Sequence, residues 1–227
     1  MGGGVGEGVS LEERIFCMCR DQLGMMIRGS DLHWCQQRLR FLLCTLQLSV
    51  DQVEWIIRIA PRLLLAPVAA HLKPLAHFYA ACGITPVELG EIAMRCPALL
   101  LTPVEQNIEM KIRYLQSIGV KLSVVVDLIR AQPGVFVQEF EFGFRKKIGR
   151  LLESGLSVDA VLSLMRYSDQ VLIQPVEGNG MPKIEFFKRS GMKPAKLSEM
   201  LIRHPFVYFL DLEGVIIPFF RQKLYSK

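Results

Sequence analysis

The sequence predicts an all-α solenoid of five consecutive helix-turn-helix repeats, each 36 residues long. Three sets of residues support this prediction because their members recur at the same interval. The first two sets are the glycines Gly83, Gly119, Gly155 and Gly191 and the prolines Pro61, Pro97, Pro133 and Pro205. One proline is missing, and Asp169 stands in its place. A helix pair of this length cannot bury its apolar face alone, so neighbouring repeats are expected to stack.

The third set consists of apolar residues at the sixth, ninth and seventeenth positions of every repeat. They are Val53, Leu89, Val125, Val161 and Leu197; Ile56, Ile92, Leu128, Leu164 and Met200; and Leu64, Leu100, Phe136, Leu172 and Tyr208. Without gaps, repeats 1 to 5 span residues 48–83, 84–119, 120–155, 156–191 and 192–227. Residues 31–47 resemble a second helix shifted by one residue and predict a degenerate N-terminal capping helix. Residues 1–30 receive no assignment.

Each repeat is predicted to begin with a first helix of about ten residues. Ser49 with Gln52 and Thr85 with Glu88 fit the capping box that marks a helix start. The proline at the fourteenth position ends this helix, because it has no amide hydrogen and disfavours the α conformation in the preceding residue. A short, tight turn of the 3₁₀ kind should follow.

A second helix of about fifteen residues is predicted to start near the twentieth position, where Pro67, Pro103 and Pro175 stand. Thr102 with Glu105 repeats the capping signature. The glycine at position 36 of the repeat should close this helix in the left-handed conformation. The fourth repeat departs from the pattern, because it lacks the proline and its residues 174–180 are a poor start for a second helix.

Composition indicates one folded domain, since 51% of the 227 residues are hydrophobic and 22% are charged. The chain contains no apolar run of about 18 to 20 residues, so a membrane span is not expected. The six cysteines fit neither a zinc site nor a disulfide framework and are interpreted as reduced core thiols. No targeting segment, cofactor motif, metal site or catalytic constellation is visible, so neither enzymatic activity nor a small-molecule substrate is expected.

The repeats resemble those of the mitochondrial transcription termination factor (mTERF) family. Residues 84–119, ITPVELGEIAMRCPALLLTPVEQNIEMKIRYLQSIG, show the pattern: a short helix ending in Pro and leucines, then a longer helix ending in Leu-x-x-x-Gly. The resemblance implies a left-handed α-superhelix whose basic concave side follows a nucleic acid backbone. It also implies a mitochondrial or chloroplast protein that acts in transcription termination or regulation, or in organelle RNA processing such as intron splicing.

Basic residues recur in two series, as contact with a phosphate backbone requires. The first basic series is Arg58, Arg95, Arg130, Arg166 and Arg203, and the second is Lys73, Lys111, Arg145, Lys146, Lys147, Lys183 and Arg221. A structural alternative exists for each. Arginine in the last turn of a helix is favoured by the helix dipole, and lysine is common on a solvated helix face. Basic residues outnumber acidic ones most in repeats 3 and 5, so nucleic acid contact is expected to be strongest there.

Two further questions stay open at the level of sequence. The aromatic residues Phe78, Tyr114, Phe186 and Phe187 follow the second basic series and could stack on bases, although aromatics at helical spacing are more often core residues. The target, double-stranded DNA or RNA, is not distinguished, since both offer a regular phosphate backbone. The predicted protein is a monomeric nucleic-acid-binding regulator. The competing hypothesis is a protein-binding helical scaffold, which would have an apolar or mixed groove instead of a basic one.

Overall fold

The computed structural model describes residues 32–225, and every element among them is helical. The unassigned segment 1–30, together with Cys17 and Cys19, lies outside these residues. The chain divides into two compact units, residues 1–104 and 105–227. The boundary falls at the beginning of the second helix of repeat 2, where the sequence shows no change in composition. No helix within residues 32–225 is long and apolar enough to cross a membrane.

The first helices occupy the third to twelfth positions of all five repeats. They are Val50–Ile59, Pro86–Arg95, Leu122–Ala131, Val158–Tyr167 and Pro194–Arg203. The predicted capping boxes form, since the Ser49 Oγ accepts from the Gln52 amide at 3.3 Å and the Thr85 Oγ1 accepts from the Glu88 amide at 3.2 Å. Because these bonds satisfy amides that have no partner inside the helix, they fix where the helices begin.

A short helical turn follows each first helix. Repeats 1, 2 and 5 have the expected 3₁₀ helices, which are Pro61–Leu65, Pro97–Leu101 and Pro205–Phe209. Repeats 3 and 4 have four-residue α-helical turns instead, Gly134–Val137 and Gln170–Ile173. Repeat 4 ends its first helix at the same position without a proline, because Ser168 is extended and its Oγ accepts from the Gln170 amide at 3.2 Å.

The second helices start as π-helical turns and continue as α-helices. The π-helical turns are Val68–Leu72, Val104–Ile108, Phe140–Arg145, Val176–Gly180 and Leu212–Ile216. The α-helical parts are Lys73–Ala81, Glu109–Ser117, Lys146–Glu153, Met181–Arg189 and Ile217–Tyr225. Repeat 4 therefore forms its second helix over the same positions as the others, and the expectation of a poor start was wrong. The capping role predicted for Thr102 was also wrong, since its hydroxyl is buried and donates to the Ala98 carbonyl at 3.0 Å.

The glycines that end the second helices adopt the left-handed conformation, with φ between +85° and +92°. Gln47 stands at the equivalent position of the N-terminal capping helix and also has positive φ, +53°. This capping helix consists of the α-helix Leu32–Arg40 and the π-helical turn Phe41–Thr45. Its π-helical turn therefore lies at the C-terminal end, whereas the other second helices have theirs at the N-terminal end.

The recurring apolar residues form the core, and all fifteen are buried except the half-buried Met200. In the first unit, the first helices of repeats 1 and 2 pack against each other. In the second unit, the first helix of repeat 4 packs between those of repeats 3 and 5. Each such side chain contributes about 1.5 to 3 kcal/mol through removal of its apolar surface from water. The predicted superhelical handedness stays a prediction.

Glycine substitutions should separate backbone conformation from packing. A methyl group added at Gly119 or at Gly149 would meet open space, but only Gly119 has positive φ, +92°. Replacing Gly119 with alanine should therefore destabilise the protein by about 1 kcal/mol. The matched change Gly149→Ala, inside a helix, should stabilise it by up to about 1 kcal/mol. Urea denaturation would measure both changes, and a stabilising Gly119→Ala would contradict the conformational argument.

Candidate nucleic-acid interface

The first basic series lies in the last turn of the first helices, as the sequence predicted. Four of its members are exposed, and Arg130 is half-buried. Each first helix ends within two residues of its arginine, so the guanidinium groups lie near the negative end of the helix dipole. This placement supports both the structural explanation and phosphate contact, because the side chains stabilise the helix end and still reach solvent.

The arginines of the first basic series differ in their ion pairs. Arg203 pairs with Glu199 at 2.6 Å, and Arg130 pairs with Asp127 at 3.4 Å. Arg58 and Arg166 form no ion pair with any residue in the range 32–225 and are exposed. Since an existing carboxylate partner competes with a phosphate, Arg58 and Arg166 are the arginines of this series best placed for nucleic acid contact.

The second basic series divides into exposed and sequestered members. Its exposed side chains belong to Lys73, Arg145, Lys146 and Arg221. Arg145 pairs with Glu141 at 3.1 Å. The sequestered members are Lys111, Lys147 and Lys183, all at the twenty-eighth position of their repeats. Lys111 is 0% exposed and Lys183 is 4% exposed, whereas Lys147 is half-buried.

The sequestered lysines donate hydrogen bonds to the turn of the following repeat. Lys111 Nζ reaches the carbonyl of Phe136 at 2.5 Å and also that of Gln138. Lys183 Nζ donates to the Tyr208 carbonyl at 2.7 Å. Phosphate contact by Lys111 and Lys183 was therefore a wrong prediction, because their ammonium groups are buried and already bonded.

Lys147 makes the same connection between repeats 3 and 4. Its Nζ donates to the Leu172 carbonyl and to the Ile173 carbonyl, the latter at 3.1 Å. These bonds use two of the three N–H donors of the half-buried ammonium group, which disfavours the predicted phosphate contact of Lys147. All three lysines reach the carbonyl at the seventeenth position of the next repeat, 25 residues further along the chain.

Other basic side chains make the corresponding connection in the first unit. Arg38 of the capping helix is buried, and its Nε donates to the Ala66 carbonyl at 2.9 Å. His71 Nε2 lies 2.8 Å from the Leu100 carbonyl, which again is the seventeenth position of the next repeat. Each junction from the capping helix to repeat 5 thus has a basic side chain bonded to a turn carbonyl. We call these five contacts the junction bonds.

The one-residue shift of the capping helix has a structural explanation. Arg38 occupies position 27 on the repeat numbering, whereas the junction lysines occupy position 28. A π-helical turn accommodates one more residue than an α-helical turn, and in the capping helix it lies between Arg38 and Gln47. Because of this extra residue, Arg38 at position 27 donates to the turn of the following repeat, as Lys111 at position 28 does in repeat 2.

Burial changes the proton affinity of the junction lysines. Desolvation lowers the pKa of Lys111 to about 7, and the Glu139 carboxylate acts in the opposite direction. Desolvation also lowers the pKa of Lys147 and of Lys183, opposed by Glu177 and Asp211 respectively. The ammonium groups of Lys111 and Lys183 additionally lie over the rings of Phe144 and Tyr208, at 5.4 and 5.8 Å from the ring centroids.

The aromatic residues considered for base stacking pack against other rings. Phe187 is buried, and Phe78, Tyr114 and Phe186 are half-buried. Tyr114 contacts Phe144 edge to face at 6.2 Å, and Phe186 contacts Phe220 edge to face at 5.5 Å. These contacts favour the core interpretation, because a ring that is already packed offers little surface to a base.

The cysteines are less buried than the sequence suggested. Among the described residues, Cys35, Cys44, Cys82 and Cys96 are free thiols, but only Cys35 is buried. Cys44 is exposed, so its interpretation as a core thiol was wrong. Within residues 32–225, no group of three His, Cys, Asp or Glu side chains could hold a metal ion.

The repeated helix pairs, their turns and the junction bonds define an all-helical repeat protein. A family model gives the more specific assignment: the mTERF model matches residues 41–218, most of the chain. The chain therefore belongs to the mTERF family, which confirms the resemblance found in the repeats. No curated protein matches the chain significantly.

Removal of a junction lysine should cost stability. Replacing Lys183 with alanine leaves the buried Tyr208 carbonyl without its donor and should lower the free energy of unfolding by about 2 to 4 kcal/mol. Lys188 lies on the same helix and is exposed, so Lys188→Ala should change stability by less than about 0.5 kcal/mol. Equal effects of the two substitutions in urea denaturation would show that the junction bond contributes little.

The lowered pKa of Lys111 predicts a dependence of stability on pH. Between about 7 and the ordinary value of 10.5, the unfolded chain binds a proton at Lys111 that the folded chain has lost. The free energy of unfolding should thus fall as the pH decreases through this range. Lys111→Met should remove this component, whatever its effect on overall stability. Denaturation of both proteins at several pH values between about 7 and 10 tests this, and parallel profiles would contradict it.

Proposed function

We propose that this mTERF-family protein binds nucleic acid through its phosphate backbone and thereby regulates organelle gene expression. The observation that carries the proposal is the arginine in the last turn of every first helix, exposed in four of the five repeats. A guanidinium group donates hydrogen bonds to phosphate oxygens in a fixed planar geometry and stays charged at any physiological pH. Family membership adds independent support.

The junction bonds make the turns more compatible with a polyanion. The C-terminal end of a helix and the carbonyls of a turn carry partial negative charge, which would repel phosphate. At repeats 3, 4 and 5, the Nζ of a buried or half-buried lysine donates to these carbonyls and offsets their partial charge. In repeat 4 the neighbouring Arg166 is exposed and forms no ion pair with any residue in the range 32–225, so it can interact with an external anion. In this proposal Lys111, Lys147 and Lys183 hold the turns next to the arginines in place and do not contact the ligand.

The proposed contact residues are the first basic series and the exposed members of the second. They are Arg58, Arg95, Arg130, Arg166, Arg203, Lys73, Arg145, Lys146 and Arg221. Contacts of this kind position a protein on double-stranded DNA or RNA without reading its sequence. The protein would act as a monomer in mitochondria or chloroplasts, in transcription termination or regulation or in RNA processing such as intron splicing.

A protein-binding scaffold is the second candidate, and one observation favours it. Repeat 5 carries a cavity of about 410 Å³ lined entirely by apolar side chains, including Phe206, Val215 and Phe219. These three residues are 44%, 46% and 54% exposed. Large exposed apolar groups often mark protein contacts. Position 28 of this repeat is Phe219. Repeats 2 to 4 have at this position a lysine that donates to the turn of the next repeat, whereas repeat 5 has an exposed apolar side chain.

Salt dependence distinguishes the two candidates. Binding to duplex DNA, duplex RNA and single-stranded RNA should weaken as salt increases, with log affinity falling by about 0.9 per phosphate contact on duplex DNA. The double variant Arg58→Gln with Arg166→Gln should make this slope shallower by about two units.

The matched control is the double variant Arg113→Gln with Arg189→Gln. It removes the same charge, but both arginines already pair with glutamates, at 2.6 and 3.5 Å. The control should bind nearly as the unchanged protein does. If no polymer binds at low salt, the nucleic acid proposal fails and the apolar cavity becomes the surface to investigate.

A further inference from the structure

A cleft of about 420 Å³ opens between the capping helix and the second helix of repeat 1, within the first compact unit. Arg40 contributes from the capping helix, and Lys73 contributes from the second helix. Gln37 and Thr45 add side-chain amide and hydroxyl groups, and Phe41 with Val68 forms the apolar part of the wall. The cleft therefore combines two cations with hydrogen-bond donors and an apolar surface.

The charge of the cleft is unbalanced. None of the described residues that line it is a carboxylate. Arg40 and Lys73 are exposed and form no ion pair with any residue in the range 32–225. Elsewhere in this range, exposed arginines often follow a glutamate by four residues and pair with it, as Arg113, Arg145 and Arg203 do. The cleft thus keeps two cations available to an external anion.

We propose that this cleft is a nucleotide subsite, in which Arg40 and Lys73 hold a phosphodiester of a nucleic acid strand. The adjoining sugar lies against the half-buried Val68 and the exposed Ala69. A phosphate oxygen accepts short, charge-assisted hydrogen bonds from both cations, and Gln37 and Thr45 can donate to the remaining oxygens. The proposal rests on the proposed function. It adds Arg40 to the proposed contact residues, and it places one phosphate contact in the cleft beside the capping helix.

Geometry separates this subsite from the arginines of the first basic series. Those arginines project from helix ends as single cations, whereas Arg40 and Lys73 belong to two different helices and line one cleft. Two cations on separate elements fix an anion in position more firmly than one flexible side chain, because the anion is held from two sides. The cleft should therefore set the register of the strand relative to the repeats.

The exposed thiol of Cys44 lines the same cleft and provides a direct probe. Trypsin places it in the peptide of residues 41–58, which has no other cysteine. Alkylation of the full chain by iodoacetamide, followed by mass spectrometry, measures its accessibility. The half-buried Cys82 lies in a separate tryptic peptide and serves as the internal control.

Saturating nucleic acid should slow alkylation of Cys44 about tenfold or more and leave Cys82 unchanged. The polymer is whichever of duplex DNA, duplex RNA and single-stranded RNA binds best in the salt series. Adenosine monophosphate and inorganic phosphate, each at the same phosphate concentration, should protect much less, because only the polymer gains from its other contacts. Equal protection by adenosine monophosphate would overturn the assignment to a strand and indicate a site for free nucleotides. Protection of Cys44 before any addition would show that the cleft is already covered and would also overturn it.

The double variant Arg40→Gln with Lys73→Gln tests the two cations. It should bind the polymer about tenfold or more weakly, with a salt slope shallower by about one to two units, and the polymer should no longer protect Cys44. Arg113→Gln with Arg189→Gln again serves as the control of equal charge. If the unchanged protein binds but the variant matches this control, the subsite is wrong and the proposed function stands. If the unchanged protein binds no polymer, the proposed function itself fails.

Discussion

The hydrogen bond from a basic side chain to a turn carbonyl is the contact on which the arrangement of the repeats depends. It connects each second helix to the turn of the following repeat, from Arg38 and Ala66 to Lys183 and Tyr208. Apolar packing alone leaves neighbouring helices able to slide, since dispersion contacts have little directionality. A buried donor and a buried carbonyl must meet at hydrogen-bond distance or both lose their partners. The junction bonds therefore fix the position of each turn relative to the helix before it.

This arrangement has an energetic cost, which the lowered pKa of Lys111 reflects. Transfer of an ammonium group out of water is unfavourable, and the bonds to the carbonyls of Phe136 and Gln138 compensate for it. An apolar residue at the same place would avoid the desolvation but would leave those carbonyls unsatisfied. The lysines thus contribute to a defined geometry as well as to stability, and their hydrogen bonds reduce the partial negative charge that the turn carbonyls present to solvent.

Within each repeat, some positions fix the helix ends and others place charged side chains on the surface. Glycines with positive φ end the second helices, and capping boxes begin the first helices of repeats 1 and 2. The last turn of each first helix carries an arginine, and four of these five side chains are exposed to solvent. Both ends depart from the pattern. At the N-terminal end, Arg40 and Lys73 leave cations uncompensated in a cleft, and at the C-terminal end Phe219 replaces a junction lysine. The two ends therefore differ in chemistry, one suited to an anion and the other to an apolar partner.

The sequence alone determined the helical class, the repeat landmarks, the family and the apolar core, because spacing, capping residues and left-handed glycines act locally. Local signals also placed the arginines at the helix ends. Only the tertiary structure decided that Lys111 and Lys183 are buried while Lys73 and Lys146 are exposed. All four are lysines on second helices, but only Lys111 and Lys183 bond to a carbonyl 25 residues away in the next repeat. The 36-residue spacing of Lys111, Lys147 and Lys183 was the available signal, but spacing does not distinguish a row facing a ligand from a row facing the neighbouring repeat.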